Sequence, residues 1–423
     1  MIVFGLLIAF FFLDYVRPTS FFPGLAVLHL NALVPLAMVV GTIALRKDRQ
    51  PIDGEPSNHW MIAAFLGSIW FSAVVAPVTE RVFTVFEAVL GYGAVYWALT
   101  QQVDSLNRLK QVIKTLLIVH VIVAGLNPQM FTDSGTRQYL SSGGFLGDGN
   151  DFALSLNIVV PLCLFLVSES TNSRQRIFWA TALTVCLASI VLTQSRGGTL
   201  ALACVGLYYW SKSDKKTWGV VAGILVVGVI VLSAPASYFD RMATIGDTQE
   251  GSAQGRIDAW GAAFDMALTY PVTGVGAGHF GLIHGKTAHS IYFLVLGELG
   301  FPGLIILITI IARNLTANRR VRSELGDDPS AGTERRLLAA LSASMIAFAT
   351  AGAFLSAAYY PHLYVIAGLS TAARRLVHER ARSAAPTEPR PSAVVLPNAI
   401  SPEWNSARAA NPLRLPHPTS PSE

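Results

Sequence analysis

Apolar residues in this chain run in blocks instead of alternating with polar ones. Stretches of about 17–25 mainly apolar residues recur along it, each long enough to cross a hydrocarbon core of about 30 Å. Segments bearing charge, Pro or Gly separate them. A block with no polar face is buried on every side, in protein or in lipid. The pattern predicts about twelve membrane-spanning helices, near residues 2–13, 24–45, 60–76, 81–99, 111–126, 151–167, 177–193, 199–211, 218–235, 289–311, 337–358 and 362–373. The opening MIVFGLLIAFFFLDYVRP has no basic n-region and no small-residue cleavage site, so it reads as a retained first helix and not a signal peptide.

Composition agrees with the blocks. Of 423 residues 52% are hydrophobic and 13% charged, where a soluble chain carries about 25% charge. The expected fold is an all-α polytopic membrane protein. Charge then sets its orientation. With the N-terminus cytoplasmic, Arg17, Arg81, Arg137, Arg196, Arg241, Arg256 and Lys286 face outward, leaving 24 of the 31 basic residues at inner loops and inner helix ends. Both termini are therefore expected inside. Residues 127–150 and 236–288 become outer loops, the second the largest. Residues 1–126 read as N-terminal transmembrane helices, 127–382 as a transmembrane core that includes the loop 236–288, and 383–423, rich in Pro, Ser and Ala, as a disordered cytoplasmic tail. The basic inner segment 312–336 reads as a solvated linker. Cys163, Cys186 and Cys204 lie in apolar segments and read as core fillers.

An arginine at an outer helix end opposes the rule that sets topology, so each one invites a reason. Arg196, in LTQSRGGTLALA, has Ser195, Gly197 and Gly198 beside it; the group suits an anion cradle, or the arginine snorkels to headgroups. Arg256, Trp260 and Phe264 share one face of a helix over 256–268. That helix lies on the membrane with Trp260 as anchor, or holds Arg256 over a cavity, or does both. His289, at the mouth of an apolar helix, is a structural hydrogen-bonder or a general base. Asp148, Asn150 and Asp151 cap the sixth span or line a cavity. Glu298, Glu87 and His120 fall within spans, where each reads as paired with a buried donor. His279, His284 and His289 recur at five-residue intervals, which is no ligand spacing, so no metal is expected. The glycines of TGVGAGHF follow no strand and are no nucleotide loop.

Taken in order, these pieces resemble the O-antigen ligase and polymerase family of bacterial membrane glycosyltransferases. They are GFLGDGNDFALSLNIVVPL, the SRGG after a long apolar span, GR…W…YP..GVGAGHF in the large loop, and AHS.Y…LGELG..G, together covering roughly residues 140–310. The resemblance implies a GT-C-like, metal-independent enzyme without cofactor, in the bacterial inner membrane with its active site on the periplasmic face. Its donor would be a glycan on undecaprenyl diphosphate, and its acceptor lipid A–core or another glycan, in lipopolysaccharide or surface polysaccharide assembly. Membrane lipids surround it and no nucleic acid takes part. By resemblance, Arg196 and Arg256 bind the diphosphate with Arg137 and Arg241 assisting, His289 activates the acceptor, and Ser195, Gly197, Trp260 and Asp151 support the site. Where the family often has Asn after the His, this chain has Ser290. The competing functions are a glycolipid flippase or transporter and a protein O-oligosaccharyltransferase.

Overall fold

The computed structural model describes residues 2–44, 58–129, 140, 144–212, 217, 239, 243 and 251–384. Arg137, Arg241, the expected span 218–235 and the tail beyond 384 lie outside the described residues. Among those described, the regular structure is helical. The longer helices are α1 (Ile2–Val16), α2 (Leu30–Ala44), α3 (His59–Ser72), α4 (Thr79–Gln102), α5 (Leu106–Gly125) and α6 (Gly149–Ser168). They continue as α7 (Ser173–Leu192), α8 (Arg196–Lys212), α9 (Gly251–Thr269), α10 (Ile291–Glu324), α11 (Gly332–Gly352) and α12 (His362–Ala384). Among the described residues five segments are long and apolar enough to cross a membrane: Pro23–Ala44, α4, α6, α7 and α10; α1 and α3 are shorter apolar helices.

Helix α6 packs against α7 and α11, and α10 against α3, α9 and α11. One core gathers Leu7, Phe11, Leu117, Phe152 and Phe165; a second gathers Phe65, Val295, Phe348 and Leu363. Ala259, Ala263 and Ala267 form the buried face of α9. Small side chains at this spacing let two helix backbones approach closely. Helix α9 is thus docked on the bundle along one face, while Ile257, Phe264 and Leu268 stay exposed. His120 is buried and bonded to Leu116 O and Ser155 Oγ, each at 2.6 Å. Glu87, expected to be paired within its span, is instead exposed on α4.

Three helices differ from the apolar blocks that announced them. Helix α10 continues to Glu324 through residues expected to be linker, because no Gly or Pro interrupts that stretch before Gly326. Helix α12 likewise runs on past its apolar part. Helix α11 ends early, at Gly352, and residues 353–361 form a loop of short turns.

The connections gather at two ends of the bundle. At one, Glu169 accepts hydrogen bonds from Lys110 (2.9 Å), Arg336 (2.5 Å) and Thr333 (3.0 Å), joining three chain reversals. There the Arg375 guanidinium also donates to the carbonyls of Thr100 and Val103, where α4 ends, as a cation at a helix C-terminus should. Burial alone would raise the Glu169 carboxyl, but its bonds to Lys110, Arg336 and Thr333 outweigh that and hold it below the ordinary 4.5. A carboxylate depressed on folding contributes stability above its unfolded value and loses it as pH falls through the folded one. Thermal melts in detergent should therefore show stability falling below about pH 4.5. Glu169→Gln should be less stable at pH 7 and flatten that dependence.

The opposite end is built around a break in α10. Gly300 has φ 66° and ψ −168°, and Pro302 follows. A Cβ on Gly300 would meet Pro271 O at 2.4 Å, while Phe301 N donates to that same carbonyl at 2.9 Å. Only glycine is at ease in this backbone region. Gly300→Ala should cost about 1–3 kcal/mol from the backbone alone, plus the clash, and is expected to lower the midpoint of thermal unfolding.

Candidate functional site

The break seats the loop that the sequence writes as TGVGAGHF. Val275 N and Gly276 N donate to the carbonyls of Gly297 (2.9 Å) and Glu298 (3.1 Å). So close an approach is open only to glycine at 274, where a Cβ would lie 2.3 Å from the Glu298 backbone. His279 is fully buried; its Nε2 accepts from Val78 N at 3.1 Å, and its Nδ1 donates to Ala277 O at 3.0 Å. Both ring nitrogens are thereby engaged within the protein. Glu298 pairs with buried donors, as the sequence reading expected: Oε1 accepts from Phe280 N (2.8 Å), Oε2 from Gly278 N (2.9 Å) and the Tyr359 hydroxyl (2.8 Å).

Beside this plug lies a cavity of about 400 Å³. Its wall brings together Asp151, Ser195, Arg196, Gly197, Arg256 and His289, which the sequence places as much as 138 positions apart. Asp148 and Asn150 line it too, so neither half of the cap-or-cavity alternative excludes the other. The Asp148 carboxylate caps α6 by accepting from Asn150 N at 3.0 Å. Ser195 caps α8, its Oγ accepting from Gly198 N at 3.1 Å. Ser290 is the N-cap residue of α10, immediately after His289. Three helix N-termini therefore open on one cavity, each bringing the partial positive charge of its aligned peptide dipoles.

Side chains add to that field. Arg196 and Arg256 are half-buried, and Lys286 is exposed at the rim. Three cations thus stand with two carboxylates, Asp148 and Asp151, on the lining. The Tyr360 hydroxyl lies 3.5 Å from Asp151 Oδ2, and burial, then the charge of Asp151, pushes that phenol above its ordinary 10.0. It remains an O–H donor at neutral pH. Among the described residues no group of three or more His, Cys, Asp and Glu is gathered as for a metal ion.

His289 is held in an unusual backbone state. Its φ is 49°, and Gln194, on the same lining, has φ 51°. Left-handed backbone at such residues costs free energy and persists where the surroundings over-determine it. Trp260 supplies part of the restraint. Its Nε1 donates to Ala288 O at 3.2 Å, and its ring stacks on Phe293 with centroids 4.9 Å apart. Trp260 thus braces the residue before His289 and is not among the residues lining the cavity.

Sequence reasoning missed Lys286, Gln194 and the 353–361 loop, which contributes Phe354, Leu355, Ser356 and Tyr360 to the wall. Lys286 had a signal, being one of the seven basic residues that the charge-bias reading leaves outside. The loop had none, since its apolar letters AFLSAAYY read as the end of a span.

The geometry can be set beside known families. A family model described as O-Antigen ligase matches residues 180–308. No curated relative matches the chain. The matched stretch contains Ser195, Arg196, Gly197, Arg256, Trp260, Lys286, His289 and Glu298, while Asp151 and the 353–361 loop fall outside it. Residues 180–308 are thus similar to the O-antigen ligase family, and that likeness supports a ligase- or polymerase-type role in surface polysaccharide assembly.

Proposed function

We propose that this protein transfers a glycan from an undecaprenyl diphosphate carrier to an acceptor hydroxyl, inside the cavity that Arg196, Arg256 and His289 line. The observation that carries the reading is the convergence of three helix N-termini and three cationic side chains on that cavity. Such an arrangement suits a diphosphate, whose charge grows as it departs. Guanidinium forks match phosphate oxygens, and the positive ends of the helix dipoles favour an anion there.

The acceptor oxygen attacks the anomeric carbon as the bond from that carbon to the diphosphate oxygen breaks. The diphosphate leaves on its lipid, and the acceptor proton passes to His289. A single displacement of this kind inverts the anomeric centre. Arg196 and Arg256 act on the leaving charge. Lys286 sits where it can meet an outlying phosphate oxygen. Gly197 keeps the α8 terminus open to the ligand. Ser195 acts through the cap, and Trp260 through the Ala288 carbonyl. The same reading puts the cavity at the periplasmic face of the bacterial inner membrane, with both termini cytoplasmic.

A reconstituted assay tests the proposal. Purified protein receives the carrier-linked glycan with lipid A–core in one arm and a second carrier-linked glycan in the other. A product on lipid A–core identifies a ligase, and a ladder of lengthening carrier-linked chains a polymerase. Donor that crosses the bilayer unchanged, with no product in either arm, replaces the proposal with a flippase.

A further inference from the structure

Helix α10 and the 353–361 loop meet at a contact that the transfer chemistry does not use. Glu298 is 2% exposed, yet each of its carboxylate oxygens is taken up by donors from elsewhere in the fold. Two are the backbone N–H groups of Gly278 and Phe280; the third is the hydroxyl of Tyr359. The first two fasten the glycine loop to the break at Gly300. The third reaches across to the loop after α11, of which Phe354, Leu355, Ser356 and Tyr360 wall the cavity.

We propose that Glu298 is a positioning residue that, through the Tyr359 hydroxyl, sets where the 353–361 loop stands against the cavity. Leu355, Ala357 and Ala358 pack the loop into the core, but few hydrogen bonds fix its stance. It has no helical ladder of its own, only short turns such as Ala353 N to Thr350 O and Tyr360 N to Ala357 O. Its cavity side is tied by the Thr287 to Ser356 hydroxyl pair and by the longer Tyr360 to Asp151 contact. The Phe354 side chain stands opposite Gly197, where a Cβ would lie only 3.1 Å from it. A shift of the loop therefore moves Phe354 over the α8 N-terminus and Tyr360 away from Asp151 together. Tyr359 is the next residue in the chain to Tyr360, so a bond at 359 restrains the ring at 360 directly.

The consequence for turnover rests on the transferase reading; the consequence for the loop does not. Two measurements separate them. In the first, Ser356→Cys is introduced and the rate of labelling by a small water-soluble maleimide is followed, alone and with Tyr359→Phe or Glu298→Gln. Cys163 and Cys186 are buried and Cys204 is half-buried, so each background is subtracted with the matching protein that keeps Ser356. Labelling should quicken about tenfold when the tie is cut, as for loss of one hydrogen bond to a charged group. In the second, transfer kinetics are compared for the wild type, Tyr359→Phe, Glu298→Gln and the double variant, all at native Cys content.

Tyr359→Phe keeps the ring and the glycine-loop bonds, so it folds even if Glu298→Gln does not. It should lower kcat about tenfold or more, as misplacement of a wall near the reacting groups does, and leave the donor KM within about twofold. The double variant should be no worse than Glu298→Gln, because both changes cut the same bond. Unchanged labelling of the introduced thiol in Tyr359→Phe overturns the proposal, whatever the kinetics. If the wild type transfers no glycan, the transferase reading fails while the labelling still decides the position of the loop. Faster labelling with wild-type kcat also overturns the proposal, since the loop's stance would then not matter to the site.

Discussion

Alanine at position 289 is expected to cut transfer by about 10²–10⁴-fold, the range that a positioned general base supplies. The expectation is specific because part of what restrains this residue lies in its neighbours. Trp260 holds Ala288 through the carbonyl, and Leu294 N bonds to Ser290 O at 2.9 Å to start α10. Alanine meets the same left-handed backbone that histidine does and brings no β-branch to it, so the substitution adds little strain. Protein yield and melting should stay near the wild type, and donor should still bind, because the cations that would hold the diphosphate are untouched. A single-turnover transfer measurement at saturating donor reads the step directly. Full transfer by His289→Ala would remove the base from the mechanism and leave the imidazole as a structural hydrogen-bonder.

How much of this could be read from the letters depends on the kind of signal. The apolar blocks announce helices, and the spans expected near 151–167 and 177–193 appear as α6 and α7 with ends a few residues away. Block ends carry less information. The letters of 353–361 are apolar although their backbone leaves the helix, because a loop walled in by protein needs apolar side chains as much as a span does. Arg196, Arg256 and His289 stood out as candidates because each strains a rule: two are cations that the charge-bias reading leaves on the disfavoured side, and one is an imidazole at the mouth of an apolar helix. Their meeting in one cavity was not legible, since it follows from α11 packing against α6, α8 and α10, with α9 on α10. Lys286 breaks the same rule as the arginines, yet nothing local distinguishes it from a solvated lysine. Glu298 was legible as a buried partner, while its three donors, from residues 278, 280 and 359, come from chain far from it.

Removing the cations should have the other large effect. Loss of one preformed donor to a charged leaving group costs about 10²–10³ in rate, or about 2.7–4 kcal/mol. The two arginines should not be equal. Arg196 is the first residue of α8, so Arg196→Ala still leaves the N–H groups of that helix terminus facing the cavity. Arg256 lies inside α9, where the peptide groups are bonded within the helix, and Arg256→Ala removes all the positive charge that α9 brings to the wall. Arg256→Ala is therefore expected to lose more kcat/KM than Arg196→Ala. Arg196→Lys should recover only part of its loss, because a point charge replaces a two-pronged fork. The double variant is the strongest test. It leaves Lys286 alone among the lining cations against Asp148 and Asp151, so the side-chain charge of the wall changes sign. Its loss should exceed the sum of the two single losses in free energy, and added salt should lessen it by screening the two carboxylates. Single variants within about twofold of the wild type would assign both guanidinium groups to lipid headgroups, since a donor to a departing diphosphate is worth far more than that.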